Sequence, residues 1–517
     1  MIAPMSIFGR TFHPDEANQA FTAGRLLETG VYRYNPQDHH GPTLYYAAAT
    51  LQKAAGRDST DTLDPTLLRC TPLLFAVLAI VFGTLATRKL AGRIWHGIIF
   101  ALLLGTSPIF VFFATDFIQE MLLAAFTMMM FWSAVNYLHP RLSSTQALKP
   151  AIWALIFGIA AGLAFATKET AVLAFIAAGI AFMVSRLTFY VPIAIFNPAP
   201  QTLNPKPEIP NVKIQPSTSL HAILAFAGFF LTAFLLYSSF ASNWQGVYNA
   251  FITAPLAYLH RATGDAASQG AAAHVHPWWQ YLKWMFACNW RFSMIPLLAA
   301  FAVTFRPRGF LHLYAIALLL LYSFIPYKTP WCALQIVLPL AAAPCAALPT
   351  CSGIRSRIVI ALLATAVSLN ALGIFAMNRD PDAKDIPYNY ASASPQVKAL
   401  ASLIIDKASA TNPLPPTPDT KPPTTNHQPS TTINPFAAIA LPAEDTWPLP
   451  FYLRSIKDKV GYWTQFEELE TLVRLGHKPS VVVVPAEEGH LVQPLFPHLK
   501  HTKRFEMRPR VRVRVFW

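Results

Sequence analysis

Pro108-Ile109-Phe110-Val111-Phe112-Phe113-Ala114-Thr115-Asp116-Phe117-Ile118-Gln119-Glu120-Met121-Leu122-Leu123-Ala124-Ala125-Phe126 is two apolar arms joined by a short polar hinge at Asp116. The first arm extends back to residue 95 and the second on to residue 138. A helix needs roughly 20 predominantly apolar residues to cross a bilayer, and each arm approaches that length. The stretch is therefore a membrane hairpin with a very tight turn. Asp116 and Glu120 are four apart, so they are expected on one face of the helix that starts at the turn. Glu120 lies one turn inside an apolar span, where a solvated face cannot explain it. It belongs either to a buried ion pair or to the wall of a cavity.

The pattern repeats in both directions. Spans are expected at 67–87, 95–113, 117–138, 150–166, 170–190, 220–241, 289–305, 310–326, 331–349 and 355–376, about ten in all. Composition agrees: 54% of the 517 residues are hydrophobic and 13% charged, with a mean hydropathy of +0.37. A soluble domain carries about 25% charged residues, so the chain is expected to be an all-α polytopic membrane bundle. The net charge of +14 does not indicate nucleic-acid binding. From Leu67 to Met377 there are 18 Lys and Arg against five acids, distributed over short loops instead of one patch. Cys70, Cys288, Cys332, Cys345 and Cys351 have no metal-binding or redox spacing.

Those loop charges set an orientation, because Lys and Arg accumulate on the cytoplasmic side. With the N-terminus outside, the inner loops hold Arg88, Lys89, Arg93, Arg141, Lys149, Arg186, Lys206, Lys213, Arg306, Arg308, Arg355 and Arg357. The outer loops hold Lys168, Arg261, Lys283 and Lys328, with Arg291 at a span edge. The Asp116, Lys168 and Lys328 turns then face outward together with the N-terminal segment and the tail. A multi-pass plasma (inner) membrane protein with an extracytoplasmic site is the expected arrangement.

Residues 1–66 form the first outer loop, with two helices expected to lie along the surface. One runs from Asp15 to about Thr29 before Gly30, and the other from Thr43 to about Ala55 after Gly41-Pro42. The second is too short to cross, which suits an interfacial helix. Residues 67–377 are the bundle, and 378–517 contain no span. In that tail, 411–435 is a Pro/Thr-rich insert expected to be disordered. Around it are pieces of a small α/β domain: Trp447–Ile456, a helix near Gln465–Leu475, and strands at Ser480–Val484 and Arg508–Phe516. In the last strand Arg510, Arg512 and Arg514 alternate with valines, giving one basic face, read as a solvated face with attraction to anionic headgroups as the alternative.

The sharpest site candidate is Asp15-Glu16, an acidic pair on the outer face above the bundle. Helix capping by Asp15 and a favourable helix-dipole position for Glu16 are the plainer readings. Lys168-Glu169 occupies a tight outer turn, and an outward lysine there needs an anionic partner: Glu120, Glu169 or a ligand phosphate. Lys328 is a second such exception. Arg261 is a weaker one, since snorkelling explains it. His13, His39 and His40 with Asp15 are candidate ligands for a divalent metal, although their spacing is not diagnostic. His274 and His276 are a weaker signal still, and no other cofactor is indicated. No phosphate-binding glycine loop or nucleophile elbow occurs.

An outward chamber with a carboxylate on one side and lysines on the other suits group transfer from a lipid-linked phosphate. Fixed cations stabilise the leaving phosphate, and a carboxylate opposite takes the acceptor proton. The blocks His13-Pro14-Asp15-Glu16-Ala17-Asn18-Gln19, Gly24-Arg25-Leu26-Leu27-Glu28-Thr29-Gly30 and His40-Gly41-Pro42-Thr43-Leu44-Tyr45-Tyr46 resemble the first outer loop of GT-C membrane glycosyltransferases. The resemblance is to dolichyl-phosphate-mannose protein mannosyltransferases and lipid A aminoarabinose transferases, and closest to a prokaryotic subfamily of flippase activity-associated proteins. Phe117-Ile118-Gln119-Glu120, Thr167-Lys168-Glu169-Thr170, Tyr327-Lys328-Thr329-Pro330-Trp331, Trp447-Pro448-Leu449-Pro450-Phe451-Tyr452-Leu453-Arg454 and Val460-Gly461-Tyr462 are similar to further blocks of that subfamily.

The resemblance implies a GT-C fold, a polyprenyl-phosphate sugar donor, inversion, and Asp15 as base or acceptor-orienting residue. The acceptor would be a lipid, glycan or protein. The family carries a transmembrane helix ahead of the acidic pair, whereas only Met1–Phe12 precede it here, so a start shortened relative to the family is expected. Where the family often has Ser-Arg, this chain has Ala114-Thr115-Asp116. The alternative function is a transporter or accessory protein for lipid-linked sugar flipping.

Overall fold

The computed structural model describes residues 9–36, 40–138, 148–187, 216–263, 274–381, 383, 385–389, 392–409 and 437–517. The 411–435 insert, Asp38 and His39, and the inner-loop charges Arg141, Lys206 and Lys213 lie outside them. Five described helices are long and apolar enough to cross a membrane: Pro65–Ala91, Glu120–Leu138, Ser219–Tyr237, Pro330–Thr350 and Gly353–Arg379. Ile94–Gly105, Pro150–Phe165, Ala171–Arg186 and Phe310–Phe324 are shorter apolar helices. The count of about ten spans is therefore matched in helix positions but not in helix length.

Two local causes account for much of the shortfall. The 95–113 segment is divided into Ile94–Gly105 and Pro108–Phe113, because Pro108 cannot continue the preceding helix and starts a new one. The 289–305 segment contains a 3-10 turn at Trp290–Phe292, capped by the Asn289 side chain, and then Ile295–Val303. A nine-residue helix is only about 14 Å long, half the roughly 30 Å of a hydrocarbon core. Elsewhere small residues allow close packing. A Cβ at Gly158 would lie 2.0 Å from the carbonyl oxygen of Ala225, and one at Gly162 would lie 2.6 Å from that of Phe229. These glycines, four apart, let Leu148–Phe165 and Pro216–Tyr237 approach backbone to backbone.

Both helices expected in the first loop are present, as Pro14–Thr29 and Thr43–Ala54. The first ends at Gly30 with φ 69, a left-handed stop that glycine adopts without a Cβ clash. Each buries one face against the end of the bundle through Ala17, Ala20, Ala23, Leu44, Tyr45 and Ala48.

The tail folds as a five-stranded mixed sheet in the order β2-β1-β3-β5-β4. β1 (Ala437–Ala440) pairs in parallel with β2 (Val460–Trp463) and β3 (Val481–Pro485). β5 (Val511–Phe516) is antiparallel to β3 and to the edge strand β4 (Thr502–Arg508). Val481–Val484 of β3 are buried on both faces, and in β5 Val513 and Val515 are buried in alternation with the less buried Arg512 and Arg514. One face of the sheet packs on the helix Gln396–Ser409. The domain sits on the first loop: Phe12 stacks on Phe451 at 4.6 Å, and an Arg454 guanidinium nitrogen donates to the Leu63 carbonyl at 2.9 Å.

Candidate functional site

The acidic pair divides its labour. His13, not Asp15, caps the Pro14–Thr29 helix, its Nδ1 accepting from the Asp15 backbone N–H at 3.1 Å. Glu16 completes the capping box by accepting from the His13 N–H at 2.9 Å. Its carboxylate also receives Arg69 Nε at 2.9 Å, Arg69 Nη2 at 2.7 Å and the Phe117 N–H at 2.9 Å. Glu16 and Arg69 are each 1% exposed. Burial alone would raise the Glu16 pKa, but the Arg69 guanidinium and these donors hold it below the ordinary carboxylate range. Glu16 thus ties the first loop, the helix Pro65–Ala91 and the Asp116 turn together.

Asp15 is left with its carboxylate outward. Its side chain is 48% exposed, and the basic atom nearest to it among the described residues is His13 Nδ1 at 3.8 Å. His274 lies within its electrostatic reach: burial lowers the His274 pKa while the Asp15 charge opposes that shift. The His274 carbonyl accepts the Lys328 backbone N–H at 2.9 Å. The Lys328 side chain is buried and donates to the carbonyls of Ile325 and, at 3.3 Å, His276. Burial lowers its pKa, and among the described residues it has no carboxylate partner.

His13 and Glu16 line a recess whose other walls include Arg10, Thr11, Phe112, Asp116, Trp331, Tyr388 and Ser392, with about 450 Å³ of atom-free space partly open to solvent. Arg10 pairs with Asp116, and its guanidinium lies 3.8 Å from the Phe112 ring centre. Burial outweighs that cation and pushes the Asp116 carboxyl up to about 6. The Thr11 hydroxyl and the Tyr388 hydroxyl are both buried in this wall, and neither has a hydrogen-bond partner among the described residues. Buried polar atoms are rarely left so.

The Lys168-Glu169 turn sends its charges in opposite directions. Lys168 pairs with Glu120, the first of the three partners open from sequence, and its Nζ is 6.0 Å from the Trp331 ring centre. Both members of the pair are buried. Glu169 instead accepts from the Tyr34 hydroxyl at 2.5 Å and the Tyr258 hydroxyl at 2.8 Å, with His40 Nδ1 at 2.8 Å. Burial works against ionisation there, but the His40 imidazole and the hydroxyl donors bring its pKa down to about 2. Gly41 makes this possible. A Cβ there would lie 2.2 Å from the Ala166 carbonyl oxygen, so only glycine lets the loop dock on the turn.

Glu16 and Asp116 thus line the recess with Trp331, Lys168 lies beside that ring paired with Glu120, Asp15 adjoins His13, and the Lys328 backbone meets that of His274. Glu169 and His40 form a neighbouring cluster. Two expectations are corrected. Asp116 and Glu120 do not share a helical face, because the helix begins at Glu120 and Asp116 remains in the turn, held by Arg10. His40 does not join His13 and Asp15, because Glu169 binds it. Among the described residues no three His, Cys, Asp or Glu side chains form a metal-ligating group. Arg261 belongs to the helix Ala254–Thr263, and its side chain lies outside the described residues. Arg10, Arg69, Tyr34 and Tyr258 had no local signal, since their partners are distant in sequence.

A family model described as dolichyl-phosphate-mannose-protein mannosyltransferase matches residues 43–195, a segment that contains the Asp116 and Lys168 turns. No curated protein sequence matches the chain. Among solved structures, ArnT from Cupriavidus metallidurans bound to undecaprenyl phosphate superposes with a TM-score of 0.61 at 14% identity, covering 100% of this chain and 96% of that one. The archaeal oligosaccharyltransferase AglB from Archaeoglobus fulgidus, in complex with an inhibitory peptide and a dolichol-phosphate, gives 0.54 at 12% identity. It covers 93% of this chain, which spans 66% of AglB. The chain therefore has the fold of the GT-C membrane glycosyltransferases, and its residues 43–195 match the protein mannosyltransferase family model.

Proposed function

We propose that the chain is an integral membrane glycosyltransferase. It moves a sugar from a polyprenyl-phosphate donor to an acceptor hydroxyl on the extracytoplasmic side, with inversion. Asp15 takes the acceptor proton, and the freed oxygen attacks the anomeric carbon. The bond from that carbon to the phosphate oxygen breaks, and its electron pair leaves with the phosphate. Lys328, a cation with no described carboxylate partner, offsets the growing phosphate charge. Lys168 is already neutralised by Glu120 and braces the wall. Glu16 fixes the helix that presents Asp15, and His13 caps that helix beside it.

The observation that carries this reading is the contrast between two adjacent acids: Glu16 is buried and saturated with donors, while the Asp15 side chain is 48% exposed. The undecaprenyl phosphate in ArnT and the dolichol-phosphate in AglB support the donor class. The test is transfer from polyprenyl-phosphate sugars to membrane acceptors by purified protein in liposomes. Asp15→Asn is expected to lower the rate at least 100-fold, since general-base catalysis contributes about 10²–10⁴. Transfer at the wild-type rate would remove Asp15 from the chemistry. Leaflet exchange of lipid-linked sugar without any transfer would favour the transporter reading.

A further inference from the structure

The ribbon of β4 and β5 carries seven Lys and Arg between residues 500 and 514, against one acid, Glu506. The register places Arg504 opposite Arg514 and Glu506 opposite Arg512, so these side chains stand on one face of the sheet. Like charges directly opposite each other destabilise a strand pair. The turn adds a second local cost, because Arg510 has φ 73, a conformation that glycine or asparagine usually occupies. Arg508 is neutralised by Asp445, whereas Arg504, Arg510 and Arg512 are exposed and have no described acidic ion-pair partner. The Arg514 Nε is buried without a hydrogen-bond partner among the described residues.

The turn end of this ribbon adjoins the recess. Ser394 N–H donates to the Met507 carbonyl at 2.7 Å, and Ser392 and Ala393 are recess wall. Lys398 Nζ donates to the Gly9 carbonyl at 2.5 Å, next to Arg10 in the same wall. We infer that the β4–β5 ribbon is a docking face for a polyanionic acceptor, one bearing phosphate or carboxylate groups beside its reacting hydroxyl, and steers it to the recess. A bound polyanion relieves the Arg504–Arg514 opposition. The inference deepens the transferase reading and rests on it for the word acceptor.

The probe is inorganic tripolyphosphate, titrated against full-length protein in neutral detergent micelles, with vesicles containing phosphatidylglycerol as a second arm. The triple variant Arg504→Gln, Arg510→Gln, Arg512→Gln is expected to bind tripolyphosphate at least tenfold more weakly. The control Arg306→Gln, Arg355→Gln is expected to bind it as the wild type does. Matched thermal unfolding curves exclude misfolding, and a variant that unfolds early is replaced by Arg510→Gly alone, expected to weaken binding about threefold. Equal binding by triple variant and wild type overturns the inference. So does absence of wild-type binding, or a loss confined to the vesicles, which would make the ribbon a membrane contact. Asp15→Asn is expected to bind the probe normally, so failure of the base assignment and failure of the docking face read out separately.

Discussion

Replacing Glu16 by glutamine preserves shape, removes a charge and strands the partner of that charge. All four hydrogen bonds to the carboxylate come from donors: two from Arg69, one each from the His13 and Phe117 backbones. A glutamine amide accepts at one end only, so its NH2 must face donors at the other. Arg69, 1% exposed, then loses at least one of its two donations to that side chain and the charge that balanced it, while it still donates to the carbonyls of Arg10 at 3.0 Å and Thr11 at 3.5 Å. Breaking a buried pair by removing one charge costs about 3–5 kcal/mol, because the other charge stays buried and uncompensated. Glu16→Gln is therefore expected to lose stability of that order in denaturant titrations of the detergent-solubilised protein. Adding Arg69→Met should recover part of it, since neither charge is then stranded. Acid should act in the same sense on the wild type. The Glu16 pKa is lowered by folding, so its stabilisation is present above the unfolded value of 4.5 and lost as the pH falls below it. A Glu16→Gln protein as stable as the wild type but inactive would refute the structural role and move Glu16 into the chemistry.

Gly41→Ala is expected to push the first loop off the Lys168 turn, costing about 1–3 kcal/mol as overpacking does. It should lower transfer by raising KM, whereas Ala at exposed Gly30 should leave KM unchanged. Glu169, with a folded pKa of about 2 against 4.5, should contribute stability that is complete above pH 4.5 and lost between 4.5 and 2. At about 1.4 kcal/mol per unit the contribution is on the order of 3 kcal/mol, and Glu169→Gln should flatten that part of the pH–stability curve. Lys328→Gln is expected to weaken polyprenyl-phosphate binding at least tenfold, whereas Lys168→Gln should mainly destabilise the protein by stranding Glu120. Binding and unfolding measurements on both variants check this.

Much of the layout was legible because it is local. Gly30 ends the first of the loop helices where expected, and the tight turns at Asp116 and Lys168 follow from apolar arms with nothing between them. Helix length was less legible. An apolar run looks continuous in sequence, yet Pro108 and the Asn289 cap interrupt two of them. The ion-pair partners were hidden for a different reason. Arg10 meets Asp116 and Arg69 meets Glu16 across 106 and 53 residues, and no periodicity encodes such a pairing. Residue type flagged the acids, but only geometry separates the saturated Glu16 from the open Asp15. In the tail, β1 escaped notice because Ala437-Ala438-Ile439-Ala440 is short and buried on both faces, without alternation.

One labelling experiment bears on the shared chamber more directly than any rate. In a background with the five native cysteines replaced by alanine, Asp15→Cys, Thr170→Cys and Tyr327→Cys are treated in intact cells with a membrane-impermeant maleimide, with Arg93→Cys as the opposite-end control. The account predicts that the first three react without permeabilisation and Arg93→Cys only after it. Reaction of positions 15 and 170 from opposite faces of the membrane would contradict it.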